Sequence, residues 1–442
     1  MDFPDEAIVR RDHATLYSRG QTLSLTTHKV PKPWGWQYYP MPPGLASEET
    51  GLSEEDKDLS LVQMVFQDKN QPHNLNRQIQ RDESKKMKVE ILDVILGNDR
   101  EGYTPGTQKL KCKVLQVPSN TTWAHEQHTP ALDSVIFIKA FDPMFYPRFV
   151  DAIEMNWKVT ARADMALSNE AGSYAFLHKH GLTGAPHIAP QWFGCWTLEV
   201  ETTDPAHQGR TRHVGAIALE FVDGICLGKL FETDELGHYP TRDDDVKTLI
   251  QVDETTRLGT IEDLLANIVV QYKIGVNHIH IHPENVIVSF RRGSEVLERP
   301  RVSLVGYTDS VVGPLRQPPR NMFAKYPRPI HPWFRFDYSR LEPFFDCHWL
   351  PRHWQDDDDC LRLDQWLVDT FGPFENNDKY IGYMELDTEL DEKAAALLAS
   401  GNFHVEIEEA AVTQPTDDGD TDTAGSHDDL QKPGDSGHEN PL

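Results

Sequence analysis

A lysine sits inside an otherwise apolar run at Ser134–Phe141, SVIFIKAF. Removing an ammonium from water among aliphatic side chains is costly unless an anion accompanies it. A fold that uses this run as an inner strand must therefore bring a carboxylate or a phosphate to Lys139. The bland alternative is an edge-strand lysine whose head snorkels to water. A helical stretch follows in the chain. Leu167, Glu170/Ala171, Tyr174 and Leu177 recur at helical spacing, and Gly181 stands where a C-cap belongs.

The surrounding pattern is mixed. Val89–Gly97 (VEILDVILG) and the cleanly alternating Lys109–Val117 (KLKCKVLQV) precede the lysine strand as further strands. Trp192–Glu201 and Val214–Phe221 follow the helix, so the first half reads β-β-β-α-β-β. The second half opens on a helix with a stripe at Ile261, Leu264, Leu265, Ile268 and Tyr272. That helix runs into HIHIHPENVIV (278–288), then a hairpin pairs Val286–Phe290 with Arg301–Val305. Near the end, LRLDQWLVDTFGPF reads as an amphipathic helix with a Gly-Pro stop, and Trp333, Trp349, Trp354 and Trp366 read as packing residues.

The flanks differ in kind. Residues 1 to about 85 are polar and weakly periodic apart from an aromatic island, PWGWQYYPMPP (33–43). The island is expected to pack on the folded body, with a docking motif as the alternative. From about Glu406 the chain is acidic and nearly free of large apolar residues, which predicts a disordered tail. The run DDDD at 356–359 reads as a solvated loop.

With 442 residues there is room for two lobes, and a net charge of −27 argues against nucleic acid or an anionic membrane as a partner. The five cysteines are scattered without a CxxC pair, the N-terminus lacks an apolar signal region, and no window approaches a membrane span. An intracellular protein, cytoplasmic or nuclear, is expected.

The order of elements and several local motifs resemble fungal protein-kinase-like proteins, distant relatives of the eukaryotic kinases and small-molecule phosphotransferases, over roughly residues 88–375. The resemblance implies an α+β, two-lobed protein-kinase-like fold. Residues 1–87 would be a partly disordered N-terminal extension, 88–222 an N-lobe of antiparallel sheet plus one helix, 223–385 a mainly helical C-lobe, and 386–442 a helix end and acidic disordered tail. IFIKAFDP looks like the strand whose lysine, here Lys139, holds nucleotide phosphates. NEAGSYAFL looks like the helix whose glutamate, here Glu170, pairs with it. ALEFVDGICLGKL resembles the hinge, where the backbone of Glu220 and Val222 would meet an adenine and Gly224 would allow the turn.

The stretch HIHIHPEN then aligns with the catalytic loop H-R-D-x-x-x-x-N. His278 matches its His, Ile279 replaces the Arg, His280 replaces the catalytic Asp, and Asn285 keeps the magnesium-holding Asn. Downstream, Gly306, Tyr307 and Thr308 replace D-F-G, and neither a G-x-G-x-x-G before Lys139 nor an A-P-E after Thr308 is present. Phosphoryl transfer rests on positioning and charge neutralisation, and both aligned carboxylates are missing. Asp309 lies three positions beyond Gly306, roughly 10 Å along an extended chain, too far to serve without a register shift.

The resemblance thus implies a catalytically impaired kinase-like protein, a pseudokinase, with no catalytic residue expected. It would act as a binding or scaffold module for a protein partner of unknown identity, taking ATP weakly without Mg²⁺ through Lys139, Glu170, Glu220, Val222 and Asn285. The alternative is an active atypical kinase or small-molecule phosphotransferase that uses ATP, with His280 as base and a relocated carboxylate. A third reading makes His278, His280 and His282 zinc ligands on one face of a strand, completed by His331, His348 or His353; the preferred reading keeps His278 buried and bonded to backbone, with no metal.

Overall fold

The structure is a computed structural model of the chain. It describes residues 4–35, 38–42, 51–67, 83–95, 106–119, 128–148, 157–230, 251–292, 294–321, 323–355, 360–374 and 376–382. Residues 389–442, which include the expected acidic tail, and the DDDD run lie outside the described residues.

Six antiparallel strands close into a barrel: β1 (Thr22–His28), β2 (Lys86–Val94), β3 (Gln108–Gln116), β4 (Val135–Phe141), β5 (Trp192–Glu201) and β6 (Thr211–Glu220). Alternation decides which face each residue takes. Leu110, Cys112 and Val114 of β3, Ile136, Ile138 and Ala140 of β4, and Val214, Ala216 and Ala218 of β6 fill the interior. In β5 an extra residue lies between the pairs Trp192↔Leu219 and Cys195↔Ile217, beside Gly194 at φ 104°. This bulge lets Trp192 and Cys195 face outward together, while Trp196 and Leu198 return to the interior.

The closing strand corrects the expectation for residues 1–87. Part of that stretch is core. β1 pairs with β2 on one side and β5 on the other, so no open edge remains on the five strands read from the sequence. Its signal is weak because TLSLTTH carries only Leu23 and Leu25 as large apolar residues. Helix α1 (Pro4–Leu16) precedes it, and the short helices α2 (Glu54–Lys57) and α3 (Leu61–Phe66) follow it; α3 buries Leu61, Val62, Met64, Val65 and Phe66.

Charge joins α1 to the barrel. The Arg212 guanidinium donates to both oxygens of Asp142 (Nε–Oδ1 2.9 Å, Nη2–Oδ2 2.8 Å) and lies 3.2 Å from Asp12. Tyr17 donates its hydroxyl to Asp142 at 2.9 Å, and Asp12 accepts from the amide and hydroxyl of Thr203, both at 2.7 Å. All three charged groups are buried. Burial pulls the Arg212 pKa down, but Asp142, Tyr17 and Asp12 together more than offset it and leave it raised; burial and Asp142 raise that of Tyr17.

Helix α4 (Val159–Lys179) lies across the outer face of the barrel. At Gly215 of β6 a side chain would come within 2.2 Å of Leu167, so the close approach requires glycine. The helix ends as its sequence predicts. Gly181 takes φ 69°, its amide donates to His178, and the Leu182 amide donates to Leu177 (both 2.9 Å), a Schellman motif.

The second half mixes helix with strand more than expected. It contains the hinge-side pair β7 (Ile225–Cys226), α5 (Glu254–Lys273), β8 (Val276–Asn277), the hairpin β9 (Val286–Arg292) and β10 (Glu295–Leu304), β11 (Val311–Val312), α6 (Tyr338–Asp346) and α7 (Cys360–Phe371). Ile261, Leu264, Leu265 and Ile268 of the α5 stripe are buried and Tyr272 is half-buried, and Asp253 caps the helix by accepting from Thr256 at 2.9 Å. Trp349 and Trp354 are buried, and Trp333 and Trp366 pack against the same core.

The aromatic island packs on this body. Pro33 lies against Gly172 of α4, and the Trp34 amide donates to Asn169 at 3.2 Å. The Tyr39 hydroxyl accepts from the Val312 amide at 2.8 Å and donates to the Ser310 carbonyl at 3.3 Å.

Arg212→Met, which strands two buried aspartates, is expected to cost about 3–5 kcal/mol; urea unfolding followed by tryptophan fluorescence reads it. Tyr39→Phe is expected to cost about 1–2 kcal/mol, since it orphans the Val312 amide; the same titration tests this, and no change in midpoint would separate the island from the stability of the 310–312 segment.

Candidate functional site

With Ile136, Ile138 and Ala140 inside the barrel, Lys139 must point outward, toward α4. Its Nζ donates to Glu170 Oε2, and the Glu170 side chain is 2% exposed against 11% for that of Lys139. The carboxylate expected to follow the lysine is therefore present. Thr308 completes the group: its hydroxyl donates to the same Glu170 oxygen at 2.7 Å and accepts from Lys139 Nζ at 3.2 Å. The sequence placed Thr308 only in the D-F-G position and did not mark it as a partner of Lys139, because the contact spans 169 residues.

The HIHIHPEN stretch splays its side chains. His278 is buried, and its Nε2 donates to the Val305 carbonyl at 3.0 Å. Burial lowers its pKa to about 4, a shift the Val305 bond partly opposes. His282 turns back to accept from the Glu284 amide at 3.3 Å. His280, more than half exposed, lies 3.5 Å from Asp309. Asn285 donates from Nδ2 to the His280 carbonyl at 3.0 Å, which folds the loop upon itself. His331 belongs to a separate aromatic cluster and bonds to the Gly372 carbonyl at 3.0 Å. Among the described residues no group of three His, Cys, Asp or Glu side chains could hold a metal ion.

Gly306 has φ 82° and ψ 47°, and a Cβ built there would stand 2.7 Å from Asn285 Oδ1. Backbone conformation and the Asn285 side chain both disfavour any larger residue. Beyond it, Tyr307–Asp309 is a 3₁₀ turn, not the extended run assumed from the sequence. The turn rises only about 2 Å per residue, which carries Asp309 back beside His280. Tyr307 is buried, shares hydrogen bonds of 2.9 and 3.0 Å with Gln271, and packs its ring against Tyr174 and His278.

At the end of β6 the Glu220 amide donates to the Gln191 carbonyl at 2.9 Å. The Glu220 carboxylate receives Arg301 through two contacts, 2.5 and 2.9 Å, and the Gln191 amide at 3.1 Å. Arg301 lies on β10, so this pair ties the barrel to the second half, a role the sequence did not suggest. Val222 follows, half-buried, and Gly224 passes so close to β9 that a Cβ would lie 2.7 Å from the Val288 carbonyl. Lys139, Glu170, Thr308, Gly306, Asn285, His280 and Asp309 are thus linked contact by contact, while Glu220 and Val222 stand at the junction of barrel and second half.

No protein-family model matches the chain, and no curated protein does. Among solved structures, WaaP in complex with acyl carrier protein is similar over 70% of this chain and 85% of its own, at 13% identity and a TM-score of 0.28. A Stt7 homologue from Micromonas algae, soaked with ATP, is similar over 50% of this chain and 51% of its own, at 13% identity and a TM-score of 0.27. At such scores neither likeness defines the fold, whose description rests on the geometry above.

His278 gives a signed pH dependence. Its folded pKa lies below the unfolded value, so the unfolded chain binds more protons between about pH 6.5 and pH 4. Its contribution is present above pH 6.5 and is lost as pH falls toward about 4, on the order of 3 kcal/mol in all. Unfolding free energies measured across that range should fall less steeply for His278→Gln than for the parent chain.

Proposed function

We propose that the chain is a protein-kinase-like domain of the fungal kinase-like kind, catalytically impaired, that serves as a binding or scaffold module inside the cell. The observation that carries this reading is Gly306. The family's magnesium-holding carboxylate belongs at this position, and here the backbone is left-handed and a Cβ would meet Asn285. Mg²⁺ sites use one or two carboxylates with the substrate phosphates. Asn285 offers a neutral oxygen instead, and its amide nitrogen is occupied with the His280 carbonyl.

The phosphate-holding half of the machinery supports a retained cleft. Lys139 is paired with Glu170, the arrangement that orients a lysine toward nucleotide phosphates. The ligand of this reading is ATP bound weakly without Mg²⁺, and the partner is another protein. The chain's acidic balance disfavours nucleic acid, and no helix among the described residues is long and apolar enough to cross a membrane.

One contact favours the second reading, an ATP-dependent phosphotransferase. His280 Nε2 faces Asp309 at 3.5 Å, so the carboxylate would orient the imidazole and leave Nδ1 to accept a proton from an attacking hydroxyl. The two readings part in one assay. ATP turnover with Mg²⁺ or Mn²⁺ should be indistinguishable between the parent chain and Lys139→Ala. Turnover abolished by Lys139→Ala and reduced by both His280→Ala and Asp309→Asn would establish the enzyme instead.

A further inference from the structure

Two lysines stand side by side on the outer face of the barrel. In the β3–β4 register Lys109 stands directly opposite Lys139, so both side chains leave the sheet on the same face. Like charges in that arrangement destabilise a sheet unless an anion lies between them. The other β3 lysines are accounted for: Lys113 pairs with Asp133 at 2.9 Å, and Lys111 lies 4.3 Å above the ring of Phe221. Lys139 has Glu170. Lys109 has no ion pair among the described residues.

A third lysine approaches from the other side. The turn Leu227–Lys229 packs on the turn Pro283–Asn285, where a Cβ on Gly228 would lie 3.0 Å from Glu284 Cγ. Lys229 is exposed at the end of that turn. Burial lowers the Lys109 pKa, and Lys139 and Lys229 lower it further, with Glu170 opposing. Lys139, by the strand register, and Lys229, on the turn packed against Pro283–Asn285, thus both act on the Lys109 ammonium. Glu284 and Lys229 both act on the Cys226 thiol, in opposite senses, and Glu170 is already committed to Lys139 and Thr308.

We infer that Lys109, Lys139 and Lys229 form a site for a linear di- or triphosphate group, in which Lys109 and Lys229 supply the charge neutralisation that a divalent ion provides in metal-dependent sites. The inference rests on the kinase-like reading of the cleft and deepens it, because it names what replaces the missing metal. The same chemistry is offered by the phosphate chain of a nucleotide and by inorganic tripolyphosphate. Fixed ammonium groups need no carboxylate at Gly306. Mg²⁺ would compete with them for the phosphate oxygens.

Isothermal titration calorimetry on the full chain in EDTA, with ATP, tripolyphosphate and adenosine as probes, tests the site. ATP and tripolyphosphate should bind without metal, adenosine should not, and affinity should fall as salt is raised. Lys109→Gln and Lys229→Gln should each weaken tripolyphosphate binding about five- to tenfold, and Lys113→Gln should leave it unchanged. Matching melting temperatures will show that the variants fold. Binding that requires Mg²⁺ and ignores both substitutions would overturn the lysine site and leave the nucleotide reading standing. Adenosine binding without tripolyphosphate binding would also overturn the site, as would no binding of any probe; the latter removes nucleotide from the proposed function as well.

Discussion

Lys139 cannot lie in a barrel strand, nearly buried, without Glu170. That requirement orders much of the molecule. It draws α4 onto the outer face of β4 and β6, where Gly215 makes room for Leu167. It also draws the Gly306–Asp309 segment toward the barrel, since the Thr308 hydroxyl bonds to both members of the pair. Helix, sheet and the loop after β10 thus meet at one ammonium group. Removing that charge, or its carboxylate, would leave a buried group uncompensated rather than merely weaken a contact.

Two further connections hold this centre in place. Arg212, between Asp12 and Asp142, fastens the N-terminal helix to the barrel. Arg301 on Glu220 fastens the barrel to the β9–β10 hairpin at the position where the resemblance places a hinge. The Tyr39 hydroxyl adds a third link, between the aromatic island and the segment that follows the Thr308 turn. Each joins residues far apart in the chain through a charged or polar group that burial makes selective about its partner.

The candidate site combines a retained half with an altered half. In the proposed reading, the lysine–glutamate pair and Asn285 are the retained half. Opposite them, Gly306 has no side chain to offer, its backbone and Asn285 disfavour a larger residue, and Asp309 is turned to His280. A site built in this way has positive charge to offer an anion and little with which to grip a divalent ion. That combination is why binding, not turnover, is the function the geometry favours, and why the lysines around Lys139 become the natural neutralising groups.

Local pattern made much of this legible. Alternation in KLKCKVLQV and the apolar run SVIFIKAF marked strands; helical spacing marked the helix on which the resemblance placed Glu170; Gly181 marked its end, because caps depend on a few adjacent residues. The absence of aligned acids at His280 and Gly306 was also plain from order alone. Tertiary structure decided the rest. Strand β1 escaped notice because its two leucines carry little periodicity, and it becomes a strand only where β2 and β5 both present unpaired edges. Thr308, Arg301 and the return of Asp309 to His280 depend on a 3₁₀ turn and on contacts between residues separated by scores of positions. A sequence states what each side chain needs, but only the closed fold determines which distant group meets that need.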